Sequence, residues 1–193
     1  MDHALPSEIE ARLAELPAGL REHVKRARDV GRELAARHDV DEGLVDLGLA
    51  AHDLARGLNA NKLRAEALRH GLNITLVERH APMLLHGPVA ARWLEQEGTL
   101  THDSVLQAVR WHTTGVPGMT RIAKIVFLAD KLDPHKVAKH PYLQKVESLA
   151  AVSVDEALLE HLDRVIEYLL GRKLLVHPAS LELRNELVAS LES

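Results

Sequence analysis

The chain contains no cysteine. That excludes disulfides, cysteine-ligated zinc and a thiol nucleophile. Aromatic residues are scarce: two Trp, two Tyr and one Phe in 193 residues. The core must be built from Leu, Val, Ala and Ile, which favours packed helices over a β-sandwich. No Lys/Arg face of the kind nucleic-acid binding requires is evident, and the formal net charge is -4. No apolar run approaches the roughly 20 residues of a membrane-spanning helix. The opening Met1-Asp2-His3-Ala4 lacks a basic stretch followed by apolar residues. The expectation is a cytoplasmic protein without nucleic-acid or membrane partners.

What is present is helical periodicity nearly throughout. Leu20, Val24, Ala27, Val30 and Leu34 step by three and four residues along one stripe. Asp41 can cap a second helix carrying Leu44, Leu47, Ala50, Ala51 and Leu54, with Gly57 as its stop. Residues 61–70 form a short helix closed by Gly71, and the Pro82 region is less regular. A helix over about 87–97 ends at Gly98, and Thr101 or Asp103 caps the next, which runs towards His112. Thr113-Thr114-Gly115-Val116-Pro117-Gly118 is a loop. Thr120 caps a helix from Arg121 to Leu132 that Pro134 ends. Ser153 and Glu156 form a capping box for a helix closed by Gly171. A last short helix begins after Pro178. The reading is one all-α domain over residues 1–193, with a core at about 20–172 and a C-terminal helix at about 178–191. The long helix after Ser153 could pack inward or dock a second copy as a homodimer.

Thirteen histidines is a high count, and histidine is the commonest metal-ligand side chain. Position separates them. His23 lies beside the first apolar stripe. His52-Asp53 lies in Leu49-Ala50-Ala51-His52-Asp53-Leu54, His86 comes directly after Met83-Leu84-Leu85, and His112 ends an apolar helix. Asp130 closes Ile125-Val126-Phe127-Leu128-Ala129-Asp130. Carboxylates in such surroundings are costly unless compensated, and a divalent cation compensates them. Mixed imidazole and carboxylate donors suit iron, manganese, zinc, cobalt or nickel rather than calcium or magnesium. Four histidines and two aspartates exceed the needs of one tetrahedral ion and could serve two ions sharing a carboxylate. His38, His70, His80, His102, His135, His140, His161 and His177 have polar neighbours or lie near element ends, so they are expected at the surface.

The order His, His-Asp, His, His, Asp resembles the HD-domain metal phosphohydrolases. More narrowly it resembles the YqeK family of symmetrical diadenosine tetraphosphate hydrolases. Glu22-His23 with Arg28-Asp29-Val30, Leu49 to Arg56, Leu84 to Ala91, and Val109 to Pro134 carry the resemblance. A weaker echo lies in Leu175-Val176-His177-Pro178 and Arg184-Asn185. The resemblance implies an all-α helical bundle with a two-metal site between its helices. It implies ligation by His23, His52, Asp53, His86, His112 and Asp130, with Asp53 as the bridge. It also implies two divalent transition-metal ions, iron preferred, and cleavage of a dinucleoside polyphosphate, diadenosine tetraphosphate, into two ADP.

In that reading Asp53 and Arg56 are the catalytic residues. Arg56, Thr113, Thr114, Gly115, Asp133 and Lys136 contact substrate, and water activated between the ions is the nucleophile. Arg56 and Lys136 depart from the family pattern of Lys and Arg at these places but keep the positive charge. Rival readings are another HD-type nucleotidase or phosphodiesterase, and a non-catalytic nucleotide-sensing module. Cyclic-dinucleotide phosphodiesterases carry a Gly-Tyr-Pro signature that this chain lacks.

Overall fold

A computed structural model describes residues 4–192, and among them there are helices and no strands. The helices in chain order are α1 (Ser7–Glu15), α2 (Ala18–Arg37), α3 (Glu42–Ala51), α4 (Ala60–Arg69), α5 (Leu76–His80), α6 (His86–Gln96), α7 (Asp103–Trp111), α8 (Arg121–Lys131), α9 (Pro134–Lys139), α10 (Tyr142–Ala150), α11 (Val154–Gly171) and α12 (Pro178–Leu191). A 3-10 turn, Pro82–Leu85, runs into α6. None of the helices is long and apolar enough to cross a membrane.

Helix α8 is central. It packs against α2, α3, α7 and α11, and its residues from Ile125 to Asp130 are all buried. Around it lies one core cluster, including Leu34, Val45, Leu49, Phe127, Leu158, Leu162, Leu183 and Leu187. A second cluster joins Ala50 and Ala51 of α3 to Leu63, Leu85, Val89, Leu94, Val105 and Val109. Helix α3 feeds both clusters, so the residues just after it lie where the two cores meet.

Local signals account for most helix starts. Side chains of Asp41, Asn59, Thr120 and Ser153 accept from backbone N–H groups in the first turns of α3, α4, α8 and α11. Thr75 and Glu78 form a reciprocal capping box on α5. Several expectations need correction. Neither Thr101 nor Asp103 caps α7; the N-cap is His102, with no side-chain bond. Ser153 makes its half of a box, with Glu156 N donating to Ser153 Oγ. Gly171 belongs to α11, and the left-handed residue after it is Lys173. Pro134 does end α8, but as the first residue of α9, whose N-cap is Asp133. The second helix stops at Ala51 rather than near Gly57. Residues 52–57 continue as turns, with Leu54, Arg56 and Leu58 N–H groups reaching carbonyls three residues back.

Helices α2 and α3 approach closely at Gly31. A Cβ there would lie 2.1 Å from Leu49 Cδ1 and 3.2 Å from Val45 Cγ1. Leu49 is fully buried and has no open direction in which to yield. Gly31→Ala is expected to cost about 1–3 kcal/mol by overpacking, despite the better helix propensity of Ala. Adding Leu49→Val should restore part of that loss. Thermal unfolding followed by circular dichroism measures both. Wild-type stability for Gly31→Ala would contradict the close contact.

Candidate metal centre

Three helix C-termini and one helix N-terminus converge on a single point. His52 is the C-cap of α3 and His112 the C-cap of α7, while Asp130 sits in the last turn of α8. The carbonyl ends of these helices carry partial negative charge, which favours a cation. His86 opens α6 and His23 projects from within α2. All four histidines, with Asp53 and Asp130, are buried.

Each imidazole has one nitrogen committed. Nδ1 of His52 donates to Leu49 O at 2.7 Å, and Nδ1 of His112 to Val109 O at 2.8 Å. Nδ1 of His86 donates to Met83 O. A carbonyl can only accept, so in all three rings the proton is on Nδ1 and Nε2 presents a lone pair. The bonds run to the residue three positions back, a geometry that helix ends and 3-10 turns supply from local sequence. His23 differs: its Nδ1 lies 2.6 Å from Asp133 Oδ2, across 110 residues. Such outer partners orient a metal-binding imidazole and fix its tautomer.

The four Nε2 atoms face the two carboxylates. His23 Nε2 is 3.0 Å from Asp130 Oδ1 and 3.8 Å from Asp53 Oδ2. His52 Nε2 is 3.5 Å from Asp53 Oδ2 and 3.8 Å from Asp130 Oδ1. On the other side, His86 Nε2 and His112 Nε2 lie 3.0 and 3.7 Å from Asp53 Oδ1. Asp53 thus divides the donors into two groups, one on each carboxylate oxygen.

This donor set fits divalent cations. His52 Nε2 is buried and has no hydrogen-bond partner. His86 Nε2 and His112 Nε2 are 2.8 Å apart although both rings carry their proton on Nδ1, so two lone pairs oppose each other. Either arrangement is unfavourable without a positive charge between the donors. Burial pushes His112 down to about 3 and lowers His52, keeping both rings neutral and able to ligate. Burial alone would raise Asp53 and Asp130. Lys131 and Lys136 hold Asp130 well below the usual carboxylate range.

A cavity of about 250 Å³ opens onto the donors. Its lining includes Asp53, His86, His112 and Asp130, with Arg56, Thr113 and Lys136 beside them. His23 and His52 are not part of the lining. The other expected substrate contacts stand differently. The Asp133 carboxylate accepts from Arg26 at 2.8 and 2.9 Å and from His135 N, besides His23. It orients His23 and is not part of the cavity lining. Thr114 is buried, and its carbonyl accepts from Ser180 Oγ at 2.7 Å. Gly115 has φ +67°, and a Cβ there would lie 2.4 Å from Leu183 Cδ2. These two residues shape the loop from behind.

Some lining residues escaped the reading of the sequence: Met83, Leu84 and Lys131. Lys131 is adjacent to Asp130 and lies one turn after Phe127 on α8, and that position was its only signal. His161 and His177 are buried, contrary to the surface placement expected for them. His161 packs edge-on to Phe127, and His177 Nδ1 accepts from Ala179 N at the start of α12.

Residues 20–135 match the model of the HD domain, and the chain belongs to that family. Membership implies a divalent-metal site, in agreement with the donor set. Among curated proteins, two relatives are named symmetrical bis(5'-nucleosyl)-tetraphosphatase. The one from Halalkalibacterium halodurans is 35% identical over 105 residues, covering 54% of this chain and 55% of that protein. The one from Bacillus subtilis is 31% identical over 110 residues, covering 57% and 58%. The chain spans about half the length of the curated relatives it matches. A crystal structure of a predicted HD superfamily hydrolase involved in NAD metabolism, from Clostridium acetobutylicum, has a TM-score of 0.88 at 23% identity, covering 95% of this chain and 96% of that one. That likeness establishes the fold.

Gly87 tests the geometry. A Cβ there would lie 2.7 Å from Val109 O, 2.9 Å from Arg110 O and 3.1 Å from His112 Cε1. Backbone carbonyls cannot swing away, so Gly87→Ala should push α6 off α7 and separate His86 from His112. Elemental analysis is expected to show less bound metal than in wild type, with the helical circular dichroism signal kept. Gly19→Ala, which meets nothing within 4 Å, is the control and should load fully. Full loading of Gly87→Ala would refute the placement of these two histidines.

Proposed function

We propose that the chain is a metal-dependent phosphohydrolase that cleaves diadenosine tetraphosphate symmetrically into two ADP. The observation that carries this reading is the division of four imidazoles and Asp130 about the two oxygens of Asp53. In it His23, His52, Asp53, His86, His112 and Asp130 would hold two divalent ions, Asp53 being shared between them, with iron the preferred metal. The names of the curated relatives support the choice of substrate.

Two ions in this donor set would lower the pKa of a water and polarise the phosphoryl oxygens. The protein supplies the rest. Fixed Nδ1 protons keep each Nε2 available, so the donors need no rearrangement before reaction. Asp133 and Arg26 hold His23 in line. Arg56 and Lys136 line the cavity and offset polyphosphate charge as it builds in the transition state. The lining contains no serine or cysteine, in keeping with direct attack by water. Water adds to one of the two central phosphorus atoms, the central P–O–P bond breaks, and the second ADP leaves with the bridging oxygen.

Substrate size agrees with the cavity. A space of about 250 Å³ is below the usual range of roughly 300–1,000 Å³ for pockets that enclose a whole drug-sized ligand. It accommodates the middle of a polyphosphate chain, leaving the two nucleosides at or beyond its mouth.

Asp53→Ala is expected to remove bound metal and abolish hydrolysis while leaving the helical circular dichroism signal largely intact. Chromatography of wild-type products should show ADP alone. AMP together with ATP would overturn symmetrical cleavage, and native turnover by Asp53→Ala would overturn the assigned centre.

A further inference from the structure

The ammonium of Lys131 is fixed at the cavity wall. It donates to Asp130 Oδ2 at 2.5 Å and to His112 O at 3.1 Å. The Phe127 ring lies beneath it, 4.9 Å from Nζ to the ring centroid. That contact is cation–π and takes up charge, not an N–H. An ammonium has three N–H donors, so the two hydrogen bonds leave one. Lys131 is part of the cavity lining, with its side chain 16% exposed, so the remaining donor serves whatever enters.

Beside it stands Thr113. The carbonyl that Lys131 grips belongs to the peptide unit joining His112 to Thr113. Thr113 also lines the cavity, and its Oγ1 is buried without any hydrogen-bond partner. A buried hydroxyl with no partner and a held ammonium with one free donor make an incomplete pair. Each can donate one more hydrogen bond, and an acceptor carrying negative charge can take both.

We propose that Lys131 and Thr113 form a phosphoryl-oxygen subsite, taking a non-bridging oxygen of the polyphosphate. The inference rests on the proposed polyphosphate substrate; it adds Lys131 and pairs it with Thr113, which the family resemblance already implies as a substrate contact. Two hydrogen bonds and an aromatic floor hold Lys131 in place, so little side-chain freedom is lost when the anion arrives. Lys136 contrasts with it: its side chain is 38% exposed, and it reaches the site from the more open rim.

A purely structural role for Lys131, as counter-charge to Asp130, makes a different forecast. Lys131→Met would then lower metal content and leave the anion affinity of the loaded fraction unchanged, and Thr113→Val would do nothing. The test is calorimetric titration of metal-loaded wild type, Thr113→Val, Lys131→Met and the double variant with inorganic tripolyphosphate, with metal content measured on each sample. Thr113→Val keeps the side-chain volume, so it reports even where Lys131→Met fails to fold.

Per loaded site, affinity is expected to fall about threefold for Thr113→Val and about tenfold for Lys131→Met, as for loss of a neutral and a charged hydrogen bond. The double variant should lose less than the product of the two, because the residues share one ligand atom. Wild-type affinity in both single variants, or no tripolyphosphate binding by wild type, overturns the subsite. Affinity losses together with no wild-type turnover of diadenosine tetraphosphate would sustain the subsite and reject the substrate assignment. Turnover with unchanged KM and unchanged tripolyphosphate affinity in both variants would reject the subsite alone.

Discussion

The interaction on which this structure depends is the hydrogen bond from each site imidazole to an acceptor behind it. Three of these acceptors are main-chain carbonyls three residues upstream, and the fourth is the Asp133 carboxylate. Without these bonds each ring could flip or change tautomer, and the Nε2 lone pairs would not meet. With them, four imidazole donors and two carboxylates are held in a buried space that only positive charge makes stable. The cores on either side of α3 are the frame for that arrangement. Their Leu, Val and Ala side chains bring the C-terminal ends of α3, α7 and α8 together, and Asp53 lies where those ends meet.

The same feature explains which parts of the site were legible in the sequence. His52 and Asp130 come at the end of apolar runs, and His112 ends a helix with an apolar stripe, so their burial could be read from neighbours in the chain. The caps at Asp41 and Thr120 were likewise local, and the sequence revealed both. His161 and His177 misled for the opposite reason. Polar Glu160 and Asp163 stand near His161, and His177 lies just before the start of α12, yet both are buried with partners far along the chain, such as Phe127 and Trp111. Asp133 carried an expectation of substrate contact, whereas its partner His23 lies 110 positions away. No local pattern announces such a pairing. The overshoot to Gly57 has a related cause. Apolar spacing continues through Leu54, but hydrogen bonds to carbonyls three residues back replace the regular ladder after Ala51.

The family match ends at residue 135, yet the pocket depends on residues beyond that point. Helix α12 grips the 113–118 loop at three places. Ser180 Oγ donates to Thr114 O, Leu183 fills the space over Gly115, and the Glu186 carboxylate accepts from Gly118 N. From the other side Gln107 of α7 holds both Gly118 O and Thr120 N. The loop that presents Thr113 to the cavity is therefore braced between an element inside the family core and one outside it. Substitutions in α12 act on the pocket through the loop, without any α12 side chain lining the cavity.

That bracing fixes an order of events during synthesis. A growing chain possesses all six candidate donors once residue 130 has been made, whereas Glu186 is added 56 residues later. At the usual elongation rate this gap is roughly 3–11 s. The candidate donor set is thus complete in the nascent polypeptide for several seconds before the last residue that fastens the 113–118 loop exists.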